Sequence, residues 1–298
     1  MATRLFGLTC SAGNTDSNVL AADQLHSNLV VDDSNPNPPT DAKDQEEQTT
    51  VFTWPDLGTF HVRDGREITG DLINDAEPHV VRNLLIGICF GELLRQRGFL
   101  VFHGSVVEVD GQTIAFVGNK RAGKSTSAAA LLARGHKFLS DDIVAVRFDG
   151  DTPMVTPGFP MFKFEPDEFD DDEIPAHPAP NPDTGYGKQY YELDGDFDWE
   201  ERELSTITLL DPNTDGPRQE ELRGHDAVMA VLEHSWPVRL QGAPYVENAA
   251  ESVGDPDLDS YARLVEGCRV QRVSLDHDHE TLDELGRDLE ELLATDRE

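Results

Sequence analysis

The sequence predicts an α/β fold, and three observations carry that expectation. Strand-like and helix-like segments alternate from residue 112 onward. A glycine-rich turn, Gly118–Ser125, joins an apolar run to an alanine-rich one. Just before it, Asp110-Gly111 separates two apolar stretches. That dipeptide is a strong hairpin signal, because a type I′ turn needs positive φ at both central positions.

In chain order, Arg4–Cys10 reads as a first strand, and a polar stretch rich in Pro, Asn and Asp then runs to about Thr50. Val51–Val62 and the turn Arg63-Asp64-Gly65-Arg66 predict a small β hairpin. Residues 1–76 are therefore expected to form an N-terminal β subdomain, with 11–50 as surface loop or disorder. Residues 77–298 are expected to form the second domain. Pro78 opens a helix in which Val81, Leu84, Leu85, Ile88, Leu93 and Leu94 recur at helical spacing, ending near Arg97-Gly98. Phe99–Val109 and Gln112–Val117 are the hairpin strands. Ser127–Ala133 is a helix, and Lys137–Ser140 is a strand with more strand to Phe148. Residues 165–202 are acidic and proline-rich with little periodicity, and are expected as an excursion or lid. Leu204–Leu210 and Val270–Leu275 read as strands, Asp226–Leu232 as a helix, and Glu280–Leu293 as an amphipathic terminal helix.

Charge narrows the function classes. The chain carries 58 Asp+Glu against 24 Lys+Arg, a net charge of -34. Such an excess disfavours general attraction to nucleic acid or to an anionic membrane surface. It also repels itself in dilute buffer, whereas at molar salt the Debye length falls to about 3 Å and screens the repulsion. The composition resembles that of proteins from salt-accumulating halophiles. Cys10, Cys89 and Cys268 are odd in number and widely spaced, matching neither a disulfide framework nor a zinc knuckle. With no long hydrophobic stretch, the expected location is cytoplasmic.

The chemistry is concentrated in Gly118-Asn119-Lys120-Arg121-Ala122-Gly123-Lys124-Ser125, followed by Thr126. This satisfies G-x-x-x-x-G-K-[ST], the P-loop pattern. Backbone N–H groups and the start of the following helix would wrap a polyphosphate, Lys124 would reach the β and γ phosphates, and Ser125 would ligate Mg²⁺. Arg121 stands where many such loops carry glycine, at a position that can require positive φ.

Geometry supplies two neighbours. Counting outward from the two-residue turn, Val109 faces Gln112 and His103 falls opposite Gly118. A right-handed crossover should return Lys137–Ser140 parallel to the first strand, bringing Asp141-Asp142 to the sheet edge that carries the loop. Carboxylates there can hold Mg²⁺ (Asp142 with Ser125) and accept a proton from an attacking hydroxyl. Asp211, at the end of Ile207–Leu210, is a second-ranked competitor.

His103-Gly104, Gly118–Ser125, Arg134-Gly135-His136 and Asp141-Asp142 together resemble the HPr kinase/phosphorylase family and its shorter HprK-like relatives, in the family's order. Weaker likeness extends to Pro157-Gly158-Phe159-Pro160, to Leu222-Arg223-Gly224 with Ala227, and to His234-Ser235. The resemblance implies a mixed sheet similar to phosphoenolpyruvate carboxykinase, with ATP and Mg²⁺. It implies that Asp141 or Asp142 is the base toward a serine hydroxyl, with His103 near the transferred phosphate and Lys188 as a second cation. The family's Gly-rich loop after the Asp pair, with its phosphorylase signature, has no counterpart here, so neither phosphorolysis nor HPr as target is expected.

The expected function is an ATP-dependent kinase transferring the γ-phosphoryl group to a hydroxyl, serine above all, of a protein or peptide, with Asp141, Asp142, His103 and Lys124 as catalytic residues. Two alternatives stay open: a kinase of free serine or a sugar, and a non-catalytic ATP-binding regulatory module. The expected partners are a nucleotide and one such acceptor, and a homo-oligomer is compatible with all three readings.

Overall fold

The computed structural model describes residues 3–5, 8–12, 29–31, 48–73, 75–165, 174–183, 187–212, 218–247, 253–275, 279 and 281–294. Most of the polar stretch 11–50, and Gly185 and Tyr186 ahead of Lys188, lie outside them.

The first strands are β1 (Thr3–Leu5), β2 (Leu8–Ala12), β3 (Leu29–Val31), β4 (Thr49–Trp54), β5 (Gly58–Arg63) and β6 (Glu67–Leu72). Helices α1 (Pro78–Leu84) and α2 (Phe90–Gln96) follow, joined by a π turn at Leu85–Cys89. Next come β7 (Leu100–Phe102), β8 (Gly104–Val109), β9 (Gln112–Gly118), α3 (Lys124–Ala133), β10 (Lys137–Ser140), β11 (Val144–Asp149) and β12 (Thr152–Thr156). Strands β13 (Met161–Phe164), β14 (Ala176–Asp183), β15 (Gln189–Leu193), β16 (Arg202–Leu210) and β17 (Arg218–Leu222) precede α4 (Gly224–Glu233) and α5 (Trp236–Gln241). The chain closes with β18 (Val246–Glu247), α6 (Leu258–Gly267), β19 (Arg269–Ser274) and α7 (Leu282–Ala294). The fold is mixed α/β. Among the described residues, no helix is long and apolar enough to cross a membrane.

Contacts divide the chain into two units, Met1–Val101 with Ser235–Asp257, and Phe102–His234 with Leu258–Glu298. In the first, an antiparallel sheet is ordered β1-β2-β3-β6-β5-β4-β18. The expected single strand over Arg4–Cys10 is instead two strands, with Leu5 opposite Leu8. Helix α2 packs closely on Trp236, because Gly91 has no Cβ; one there would stand 2.4 Å from the indole Cζ2. Buried Glu92 accepts from Thr50 Oγ1 at 2.6 Å and pairs with Arg95 at 2.7 Å, so its burial is compensated.

The second unit carries the sheet of interest. Strand β9 lies between β8, antiparallel, and β16, parallel, while β10 pairs antiparallel with β8. Hence β10 runs parallel to β9 with β8 between them. The amino half of β16 pairs with β12 and its carboxyl half with β19, parallel. Helices α3 and α7 cover one face through Ala128, Leu131, Leu282, Leu285 and Leu289, all in one core cluster with Phe116.

Residues 165–202, expected as an aperiodic excursion, contain β14 and β15. These form a second, three-stranded sheet ordered β13-β15-β14. Proline at 178 is accommodated because β14 is an edge strand, where a missing N–H costs no ladder bond on the open side.

Candidate active site

The hairpin register holds as far as the strands extend, from Val109 opposite Gln112 to Gly104 opposite Val117. Strand pairing breaks at His103, between β7 and β8. Gly104 permits close approach there: a Cβ would lie 2.4 Å from the Phe116 carbonyl oxygen.

At the carboxyl end of β9 the chain turns through Asn119–Gly123 into α3. Gly118 faces Leu210 of β16, whose carbonyl oxygen would stand 2.8 Å from any Cβ at 118. Gly123 has φ 88°, a conformation that suits glycine. Arg121 also has positive φ, 68°, at a steric cost of about 1–2 kcal/mol for a residue with a Cβ. Asn119, Lys120 and Arg121 are exposed, and Ala122 is buried. Lys124 is only 6% exposed, and its ammonium donates to the carbonyls of Gly118 at 3.0 Å and Asn119 at 2.8 Å. The helix begins at Lys124, three residues before the expected start, so Ser125 and Thr126 stand in its first turn.

Strand β10 ends beside this loop. Asp141, 4% exposed, accepts three hydrogen bonds: from Ser105 Oγ at 2.6 Å, Ser125 Oγ at 2.9 Å and the Lys163 N–H at 3.0 Å. Burial, and then the neighbouring Asp142 charge, raise its pKa above the ordinary carboxylate value against these donors. Asp142 takes the left-handed conformation, φ 67°. Its carbonyl lies 2.9 Å from His103 Nδ1; a carbonyl only accepts, so Nδ1 carries the hydrogen. Its carboxylate pairs with the Lys163 ammonium. Burial opposes ionisation of Asp142, but Lys163, His103 and Lys188 outweigh it and hold the carboxyl at about 2.

The geometry thus joins Ser125 to Asp141, and His103 to Asp142. Asp142, expected beside Ser125 as a metal ligand, is paired with Lys163 instead. Lys188 acts on Asp142 through its charge. Asp211 follows Leu210, the residue paired with Gly118, so this carboxylate also stands at the same sheet edge. Arg134 and His136, part of the sequence resemblance, do not enter the group; both bond to Glu290 of α7.

Two residues here had no role from sequence. Lys163 touches both aspartates. His234, at the end of α4, has a lowered pKa from burial, opposed by Glu233 and reinforced by the charges of Lys124 and Arg272. Only the weak His234-Ser235 likeness pointed to the second, and the scarcity of lysine would have pointed to the first.

Chemically, the group offers a recessed ammonium, backbone N–H groups at a helix start, a hydroxyl and carboxylates. Oxygen donors of this kind suit Mg²⁺, which takes one or two carboxylates and keeps several waters. The Ser125–Asp141 pair fits that donor set.

No family model matches the chain. It is 39% identical over 57 residues to an HPr kinase/phosphorylase of Prosthecochloris aestuarii, covering 19% of this chain and 17% of that one. An HPr kinase/phosphorylase of Chlorobium luteolum is 41% identical over 55 residues, 18% and 17% of the two chains. The matches therefore span 17% of the length of these curated relatives. The solved Hpr(Ser) kinase/phosphatase from Coxiella burnetii aligns over 66% of this chain and 95% of its own, at 14% identity and a TM-score of 0.30. Over these 55–57 residues the chain is similar to HPr kinase/phosphorylases.

Proposed function

We propose that this chain is an ATP-dependent phosphotransferase that moves the γ-phosphoryl group to a hydroxyl, serine above all, of a protein or peptide. The observation that carries the reading is the 2.9 Å bond between Ser125 and Asp141, next to the recessed Lys124 ammonium. A loop residue expected to ligate Mg²⁺ and a strand-end carboxylate converge as P-loop chemistry requires. The matched relatives are named as kinases, and this supports the reading.

Residues 118–126 act as the P-loop in a sheet similar to that of phosphoenolpyruvate carboxykinase. Their N–H groups receive the β and γ phosphates, and Lys124 leaves its carbonyl partners to pair with them. Mg²⁺, when bound, supplies charge neutralisation at these phosphates, and Ser125 and Asp141 are the residues to hold it. Transfer forms a bond from the acceptor oxygen to the γ-phosphorus and breaks the bond to the β–γ bridging oxygen. The acceptor proton passes to the carboxylate of Asp142, which is ionised and paired with Lys163. His103 fixes the backbone of Asp142 through its carbonyl.

The molecule works in the cytoplasm at high salt, where screening relieves its net charge of -34. The test is phosphoryl transfer from γ-labelled ATP in molar KCl to a panel of serine peptides, proteins, free serine and sugars. Label on a serine of a protein or peptide, absent with Lys124→Ala, is expected. Label on small molecules alone would establish the small-molecule kinase, and tight ATP binding with no transfer across the panel would establish a regulatory module.

A further inference from the structure

Lysine is scarce in this chain: six residues, at 43, 120, 124, 137, 163 and 188, against eighteen arginines. Structural ion pairs are made mainly by arginine, as in Arg95–Glu92, Arg134–Glu290, Arg147–Glu201 and Arg202–Glu108. Four of the six lysines belong to the site: Lys120 and Lys124 in the loop, Lys188 by its charge on Asp142, and Lys163. A compact ammonium on a flexible stem is used where a planar guanidinium fork would not serve.

Lys163 is held from behind. On β13, Phe162 and Phe164 are buried in the core, Phe162 stacking on Tyr191 at 5.8 Å and 17°. Strand alternation sends Lys163 to the other face, opposite Tyr190 in the ladder, with its ammonium 5.1 Å from that ring's centroid. Its N–H, fixed by the strand, bonds Asp141 Oδ2, and its ammonium pairs with Asp142 Oδ2. One residue therefore grips adjacent carboxylates by two groups pointing in different directions.

We propose that Lys163 is a positioning residue of the transfer site: its N–H locks Asp141 toward Ser125, and its ammonium draws Asp142 to the β13–β15 side, where the acceptor hydroxyl is met. The division of labour between the aspartates then follows from a residue 22 positions after Asp141. Without the ammonium, Asp142 loses the cation with which its carboxylate pairs. This inference rests on the transfer reading above.

The test starts without altering residue 163. Acylation by acetic anhydride, followed by mass spectrometry, is expected to modify Lys163 at least about tenfold more slowly than exposed Lys120, and Asp142→Asn is expected to remove most of that protection. Equal rates in the parent overturn the assignment. Lys163→Met keeps the N–H and the stem volume but removes the charge. It should lower kcat about 100-fold, while calorimetric affinity for ATP with Mg²⁺ and KM for ATP stay within about threefold. A Lys163→Met protein with parental kcat overturns the proposal, as does one whose ATP affinity falls as far as its kcat. A parent without transfer sinks the transfer reading itself, whereas an active parent with an equally active Lys163→Met sinks only this inference.

Discussion

At the Gln112 end of β9, Asp110 and Gly111 turn with φ 50° and 82°, the pattern a type I′ hairpin demands. Arg134 there bonds both carboxylate oxygens of Glu290, at 2.8 and 2.9 Å, and His136 adds a third contact at 2.8 Å. A cavity of about 350 Å³ opens at this end, lined by Val109, Ile114, His136, Glu290 and Leu293 among others. At the Gly118 end, some 20 Å away by strand length, positive φ falls on Arg121 and Asp142 with no glycine after either. The cations there are lysines together with Arg121, and a buried aspartate has a raised pKa. The two ends share a strand but not a purpose. The first joins its elements with partly exposed arginine pairs and a two-residue Asp-Gly turn. The second keeps strain and closely spaced charge, which a fold retains where they serve chemistry.

Substitutions can break this comparison. Lys124→Ala should have the largest effect, lowering phosphoryl transfer by about 1000-fold or more, measured with γ-labelled ATP in molar KCl. Asp141→Ala, which frees Ser105 and Ser125, should cost about 100- to 1000-fold in the same assay. Arg121→Gly relieves the left-handed conformation but adds unfolded-state freedom. It should raise stability in chemical denaturation by about 0.5–1 kcal/mol and weaken ATP binding modestly.

The smallest effect belongs to the opposite end. Arg134 chiefly, working against desolvation and aided by His136, lowers the Glu290 pKa below its ordinary 4.5. A carboxyl lowered in the folded state contributes stability that is present above the unfolded value and is lost as pH falls through the folded one. Glu290→Gln should therefore be slightly less stable than the parent at pH 7 in thermal melts, and the gap should close below about pH 4. Transfer should be unchanged. A loss of transfer in Glu290→Gln comparable to that in Asp141→Ala would erase the distinction between the two ends.

Much of this was readable in the residues. The Asp110-Gly111 turn fixes the register that carries β8 to Gly104, and crossover handedness brings Asp141-Asp142 to the edge of the loop, because both signals are local or topological; that Asp141 rather than Asp142 meets Ser125 was not readable. Arg121 stands at a loop position that can require positive φ, and it takes φ 68°. Hidden from that reading were β14 and β15: His177-Pro178-Ala179 reads as loop, since nothing local reveals an edge strand. Helix α6 was also missed; it buries Tyr261 and Leu264 within an otherwise polar segment, too few apolar positions for a strong period. Lys163 was missed because its role depends on a strand pairing, Lys163 with Tyr190, that no motif encodes.

The central claim is that residues 118–126 bind ATP. Isothermal titration of ATP with Mg²⁺ into the parent and Lys124→Ala proteins, in molar KCl, tests it most directly. The account expects saturable binding by the parent that is lost in Lys124→Ala, both proteins giving the same thermal transition. Equal ATP affinity in the two folded proteins would contradict it.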